Sequence, residues 1–171
     1  MTNINQAKFK KATKDFNSVF NKYDIMNDLM SLGIHRLWKQ RLIEWMKPKK
    51  GDRLIDMAAG TGDIANAFLG RIKNQGYVSC VDPNKLMIEQ GKKKLRYLNN
   101  IEWYISSAEN LPFNDNVFDI YSVSFGVRNF SDTQKALREA HRVLKTGGRF
   151  ICLEFSKVEN EILNKVYKTY S

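Results

Sequence analysis

The chain has 171 residues, 43% of them hydrophobic and 27% charged, with only three prolines, which suits one packed domain and excludes a disordered or low-complexity polypeptide. Lysine and arginine outnumber aspartate and glutamate to leave a net charge of +10, so the surface attracts anions such as acidic lipid headgroups, nucleic acid or acidic substrates, without naming one. The apolar runs are short and broken by charge, well under the roughly 20 residues of a membrane-spanning helix.

The basic residues spread over Lys8 to Lys14, Lys92 to Arg96, Arg138 to Arg149 and Lys165 to Lys168. Solvated helix faces are the plain reading of these runs, with membrane-surface or nucleic-acid contact as the others. The first fourteen residues carry four lysines and no acid, but no arginine and no apolar signal core, which leaves a transit peptide as a minor reading. Cys80 and Cys152 each lie in a short apolar run without metal-ligand spacing and are expected to be reduced core residues.

From Phe9 to Trp45 apolar residues recur at roughly helical spacing, interrupted near Ser31 and Gly33, which predicts two or three helices. Pro48 and Gly51 close that region. Arg53 to Met57 reads as a first buried strand running into Ala58-Ala59-Gly60-Thr61-Gly62-Asp63 and a helix through about Lys73. A strand follows at Tyr77 to Val81, then a helix from Asn84 to Leu98, a strand at Ile101 to Ile105, and a turn-rich stretch around Pro112 to Asn116. The strand Phe118 to Ser124 precedes a helix from about Thr133 to Leu144, and Thr146-Gly147-Gly148 separates that helix from a fifth strand at Arg149 to Phe155. This alternation predicts an α/β fold with a parallel, doubly wound sheet of five strands and a ligand crevice at the strand carboxyl ends. The expected organisation is one domain over 1–171, with a helical N-terminal lid over 1–47, a binding core over 52–155 and the start of a further part over 156–171.

Gly60-x-Gly62-x-x-Ala65 fits a relaxed dinucleotide fingerprint, and Asp82, some twenty residues on, ends the second strand where a carboxylate can accept ribose hydroxyls. Charge separates the candidate ligands. Asp56 ends the first strand and Asp63 opens the next helix, so two carboxylates flank the place where a dinucleotide would set its pyrophosphate. Two anions repel a diphosphate and attract a nucleoside carrying a sulfonium and an ammonium, which describes S-adenosylmethionine. For Asp63 a helix N-cap is an equal and compatible reading.

With those motifs in place, the sequence resembles the quinone-biosynthesis branch of class I S-adenosylmethionine methyltransferases, which C-methylate demethylmenaquinol and the polyprenyl-methoxy-benzoquinol precursor of ubiquinone. The resemblance runs from about Phe16 to the last residue. It rests on Tyr23-Asp24-Ile25-Met26-Asn27-Asp28-Leu29-Met30 continuing to Gly33-Ile34-His35-Arg36-Leu37-Trp38, on Asp56 to Asp63, and on Asp82-Pro83-Asn84-Lys85-Leu86-Met87. Ala108-Glu109-Asn110-Leu111-Pro112-Phe113, Ser124-Phe125-Gly126-Val127-Arg128-Asn129 and Arg142 to Ser156 complete it. Three positions depart from the family pattern: Ala59 stands for glycine, Ser107 for Asp or Asn, and Thr146 for proline.

The resemblance implies a class I, Rossmann-like fold and donor contacts at Thr61, Asp82, Ser107, Ala108 and Ser124, with Asp56, Gly60 and Gly62 completing the methionine side. It implies Arg128 and Asn129 as polar groups beside the acceptor ring, and because a guanidinium is a poor base, Arg128 is expected to orient water or stabilise a phenolate. A surface salt bridge is the plainer reading of Arg128. Tyr23, Asn27 and His35 are expected along the quinol pocket, the Tyr23–Met30 stripe also reading as plain core, and His35 as proton acceptor, hydrogen-bond partner or structural residue. No metal is expected. The expected partners are a polyprenyl quinol and a membrane surface, with no nucleic acid, at a cytoplasmic location beside the inner membrane, or on the matrix side in a eukaryote. The family continues past the fifth strand with an antiparallel strand pair, absent before Ser171, so that strand is expected to be an edge able to join a homodimer. A non-catalytic donor-binding scaffold and a methyltransferase acting on RNA are the alternatives.

Overall fold

In a computed structural model of the protein the described residues are 34–154, with side chains from residue 37 onward. Residues 39–156 form one of the chain's two compact units, and the fold lies in it. Five strands form a single parallel sheet in the order β3-β2-β1-β4-β5: β1 (Arg53–Met57), β2 (Tyr77–Val81), β3 (Ile101–Tyr104), β4 (Phe118–Ser124) and β5 (Leu144–Leu153). β1 is the central strand, with Leu54, Ile55 and Met57 apolar and Asp56 buried among them. Burial from Leu54 to Met57 is unbroken, as in strands covered on both sides.

Alternate residues of the strands feed two cores, following the two-residue period of a strand. Leu54, Val78, Cys80 and Ile120 meet Leu42, Ile43 and Met46 of α1 (Ile34–Met46) and Ile64, Ala65, Phe68 and Leu69 of α2 (Asp63–Arg71). On the other face Ile55, Met57, Val81, Tyr121 and Val123 meet Ala136, Ala140 and Val143 of α4 (Thr133–Val143). α3 (Lys85–Lys94) is capped by Asn84, whose side chain accepts from the backbone N–H groups of Leu86 and Met87. Asp132 caps α4 in the same way through the N–H of Lys135.

From β1 to β5 the expected order of strands and helices is the observed one; most of the expected N-terminal lid over 1–47 and the part over 156–171 lie outside the described residues. Several boundaries differ, some by a single residue, as where β3 ends at Tyr104 rather than Ile105 and α3 begins at Lys85 rather than Asn84. α2 ends at Arg71 rather than Lys73, α3 ends at Lys94 rather than Leu98, and β5 begins at Leu144 rather than Arg149. The last difference arises because Leu144 pairs with Phe118, after which the chain shifts register, with Gly147 at φ 79°, before Arg149 pairs with Ile120. A local reading sees only a helix stop there. The β3–β4 crossover over 105–117 contains no helix, as its turn-rich composition predicts, and Arg142 holds it: its guanidinium donates to the carbonyls of Leu111 and Phe113 and to Asp115 and Glu139. Arg149 similarly donates to the carbonyl of Met46 and to Asp52, tying the end of α1 to β5.

Among the described residues β5 has a strand on one side only. The expectation for Cys152 is corrected: Cys80 is buried as expected, but Cys152 is exposed, because Ile151 and Leu153 turn toward the first core and Cys152 between them turns away.

Gly91 is needed for the approach of α3 to the sheet, since a Cβ there would overlap the Trp103 ring of β3. A Gly→Ala change in an open helix gains about 1 kcal/mol, whereas overpacking a tight contact loses about 1–3 kcal/mol. Gly91→Ala is therefore expected to be neutral to destabilising by up to about 2 kcal/mol in urea unfolding, and a stabilised variant would show that the contact relaxes.

Candidate functional site

In this sheet the chain leaves β1 toward β2 on one side and reaches β4 on the other, so the loops after β1 and β4 part at a switch point, where open α/β sheets bind ligands. The loop after β1 turns sharply: Ala58, Gly60 and Gly62 have φ of 56°, 55° and 81°. A left-handed alanine is unusual and strained by about 1–3 kcal/mol. The loop after β4 has Phe125 at φ 57°, and a Cβ on Gly126 would overlap that of Ala58. The absence of a side chain at Gly126 lets the two loops meet.

Asp82, at the end of β2, holds the first loop from across the sheet. Its carboxylate accepts the Gly60 N–H at 2.9 Å and the Asn84 N–H at 2.8 Å, and each oxygen keeps a further lone pair. Asp56 accepts a 2.8 Å hydrogen bond from Ser122 Oγ of β4, while its other oxygen, Oδ2, is buried with no hydrogen-bond partner. Ser124, two residues beyond Ser122 on the same strand face, also has a buried, unpartnered hydroxyl. Two polar atoms that fail to find partners at a switch point are acceptors and donors left for something else. Burial raises the Asp56 carboxyl to about 7, against lowering by the Ser122 hydrogen bond and Lys39, with Asp63 and Asp82 adding to the rise.

Asp63 differs from its expected role. The residue at the N-cap is Gly62, and Asp63 is the first residue of α2. Its oxygens are held by Lys39 Nζ at 2.7 Å and Lys94 Nζ at 2.5 Å, and Lys94 also reaches Thr61 Oγ1 at 3.2 Å. Burial alone would raise this carboxyl; the Lys39 and Lys94 hydrogen bonds and charges bring it down to about 2. The two flanking carboxylates are therefore unlike: one buried and proton-hungry, one ionised and neutralised. Repulsion of a diphosphate by a pair of bare anions does not describe this loop.

Arg128 and Asn129 lie on a short 3-10 turn (Val127–Asn129) directly after β4. Arg128 makes the salt bridge that was its plainer reading, to Glu154 Oε1 at 3.0 Å, and both residues of the pair flank the carboxyl ends of β4 and β5. Asn129 is exposed. Ala108 is buried and Ser107 exposed, just past β3. The structure thus brings Asp56, Gly60, Thr61, Gly62, Asp82, Ser124 and Arg128 to the carboxyl ends of the strands. Tyr23 and Asn27 lie outside the described residues, and His35 is placed only by its backbone, in the first turn of α1. Ser122, Lys39, Lys94 and Glu154 are site neighbours that sequence reasoning missed. Ser122 alone carried a signal, its place two residues before Ser124. Among the described residues no cluster of His, Cys, Asp and Glu could hold a metal, and no helix is long and apolar enough to cross a membrane.

The profile of the ubiE/COQ5 methyltransferase family matches residues 1–171. The chain belongs to that family. It is 48% identical to the ubiquinone/menaquinone biosynthesis C-methyltransferase UbiE of Ruegeria sp. (strain TM1040), over 91% of this chain and 63% of that protein. It is 42% identical to the mitochondrial 2-methoxy-6-polyprenyl-1,4-benzoquinol methylase of Bos taurus, over 97% of this chain and 61% of that protein. The chain therefore spans about three-fifths of the length of these relatives. A solved S-adenosylmethionine-dependent methyltransferase from Aquifex aeolicus superposes with a TM-score of 0.65 at 22% identity, covering 72% of this chain and 66% of that one. The fold is the class I, Rossmann-like methyltransferase fold expected from the ubiE/COQ5 resemblance.

The raised Asp56 carboxyl gives a signed pH dependence. The folded chain holds this proton more tightly than the unfolded chain, so the stability it contributes is complete below about pH 4 and is lost as pH rises through about 7. Asp63, pulled down to about 2, has the opposite sign and loses its contribution only as pH falls toward that value. Asp56→Asn removes the loss, so the unfolding temperature of the variant minus that of the parent should climb between pH 5 and pH 8. A flat difference would contradict the buried, raised carboxyl.

Proposed function

We propose that the chain carries the donor-binding core of an S-adenosylmethionine-dependent C-methyltransferase that acts on a polyprenylated quinol ring, in menaquinone or ubiquinone biosynthesis. The observation that carries this reading is the pair of buried, unpartnered groups, Asp56 Oδ2 and Ser124 Oγ, on one strand face at the switch point. They fit a ligand with an ammonium and further polar atoms. A buried carboxyl raised to about 7 is drawn back to its ionised form by a cationic ligand, which places a positive charge where the carboxylate otherwise lacks one. Asp82 has lone pairs left for ribose hydroxyls after serving Gly60 and Asn84, and Ala108 offers an apolar wall to a purine.

When bound, the donor supplies an electrophilic methyl group on a sulfonium. The neighbouring phenol would give up its proton to water or a base, the acceptor ring carbon would form the new C–C bond as the C–S bond breaks, and loss of that carbon's own hydrogen to water with reprotonation of the oxygen would restore the aromatic ring. A guanidinium such as that of Arg128 is a poor base. Beside the ring it stabilises the phenolate oxygen rather than taking the proton, while Glu154 fixes the direction of the guanidinium. Asn129 adds a neutral hydrogen-bonding group on the same turn.

Methyl transfer from labelled donor into a short-chain demethylmenaquinol or benzoquinol tests the reading. Product formation supports it; donor binding without turnover would favour the non-catalytic scaffold, and labelling of RNA instead would favour a nucleic-acid substrate. Arg128→Lys keeps the charge and loses the planar fork, so turnover should fall by about tenfold or more with donor affinity nearly unchanged. Unchanged turnover would remove Arg128 from the acceptor side.

A polyprenyl acceptor resides in a membrane, and the net charge of +10 suits peripheral contact with an anionic surface, on the cytoplasmic face of an inner membrane or in the mitochondrial matrix. Sedimentation with phosphatidylglycerol vesicles should show binding at low salt and release as salt rises. Binding indifferent to lipid charge and salt would contradict the peripheral contact.

A further inference from the structure

The turn that carries Arg128 and Asn129 is anchored at both ends to the loops beside the donor crevice. At its start Gly126 lies against Ala58 of the glycine loop. At its end a carboxylate from the β3–β4 crossover takes over: Glu109 Oε1 accepts the Ser131 N–H at 2.7 Å and the Asp132 N–H at 3.2 Å. Glu109 comes directly after Ser107 and Ala108, the exposed and the buried residue expected along the donor. Burial would raise the Glu109 carboxyl, but hydrogen bonds from the N–H groups of Asp132, Glu109 itself and Ser131 and from the Ser107 hydroxyl hold it below its ordinary range. It therefore accepts as a carboxylate, with the greater strength of a charge-assisted bond.

We propose that Glu109 is a positioning residue that passes the seating of the donor at Ser107 and Ala108 to the acceptor turn. The inference rests on the reading of the site as a donor-binding core with its acceptor beyond β4. A purine set against Ala108 restricts the backbone from Ser107 to Glu109. A carboxylate holding two N–H groups hands that restriction on to Ser131 and Asp132, so the turn before them is ordered when the donor is in place. Capping α4 does not require Glu109, because Asp132 already does so through the Lys135 N–H, and the bonds from Glu109 fall before the first helical residue, Thr133. Holding the crossover does not require it either, since Arg142 and Glu139 of α4 bind that segment at Leu111, Phe113 and Asp115.

Residue-resolved hydrogen exchange with and without S-adenosylhomocysteine reads this coupling without requiring turnover. In the parent the ligand should slow the Ser131 and Asp132 amides by about fivefold to tenfold, the scale of one charge-assisted hydrogen bond. The Lys135 amide, held by the cap of α4, should stay within about twofold. Glu109→Ala should still bind S-adenosylhomocysteine in calorimetric titrations and still slow at Gly60, but the ligand should no longer slow Ser131 and Asp132. Glu109→Gln, whose amide oxygen accepts the same N–H groups, should restore most of the effect. Equal slowing of Ser131 and Asp132 in the parent and in Glu109→Ala, or none in a parent that binds the ligand, overturns the inference while leaving donor binding intact. If the parent binds no S-adenosylhomocysteine, the donor-binding reading falls and the coupling with it. Should Glu109→Ala fail to fold, the parent decides: slowing confined to Ser131 and Asp132 supports the coupling, and slowing spread evenly over Ser131, Asp132 and Lys135 is general stabilisation and overturns it.

Discussion

The hydrogen bond from the Gly60 N–H to the Asp82 carboxylate ties the end of β2 to the loop that follows β1. That loop passes through three left-handed residues in five, one of them alanine, and a chain so bent stays in place only where something outside it holds it. Asp82 does so by accepting N–H groups from both its own loop and the neighbouring one. Once the bend is fixed, α2 starts where Asp63 can meet Lys39 and Lys94, and Ala58 lies against Gly126 of the loop after β4. The crevice is thus built by backbone geometry and completed by side chains.

Within it, the carboxylates divide the work by their surroundings. Asp56 is sealed among strands with a single serine for company and is reluctant to ionise. Asp63 is surrounded by ammonium groups and ionises readily. Asp82 is saturated by backbone N–H groups on one lone pair of each oxygen. Three acids at one crevice therefore differ in what they offer, and a ligand with an ammonium and ribose hydroxyls can use Asp56 and Asp82 at once while the lysines hold Asp63.

Much of this was legible in the sequence. Strands such as Arg53–Met57 and Phe118–Ser124 are apolar runs bounded by turn residues, and a strand buried on both faces has no choice but to look so. The acids at strand ends were legible because the end of a run is visible locally. What was hidden depends on distant pairing. Ser122 bonds to a residue 66 positions away, and Lys39 to one 24 positions away, separations that no local pattern encodes. Leu144 joins β5 only because Phe118 is beside it, and Cys152 is exposed only because its strand face lacks a cover among the described residues. The lysines around Asp63 are likewise distant in sequence, and they leave the orphan oxygen of Asp56 as the unneutralised acceptor at the loop.

The central claim is that this crevice takes a cationic nucleoside with an amino-acid head rather than a dinucleotide. Calorimetric titration of the chain near pH 7 with S-adenosylmethionine and, separately, with NAD puts the claim to its most direct test. S-Adenosylmethionine should bind at least about tenfold more tightly, a difference of about 1.4 kcal/mol. Equal affinities, or tighter binding of NAD, would contradict it.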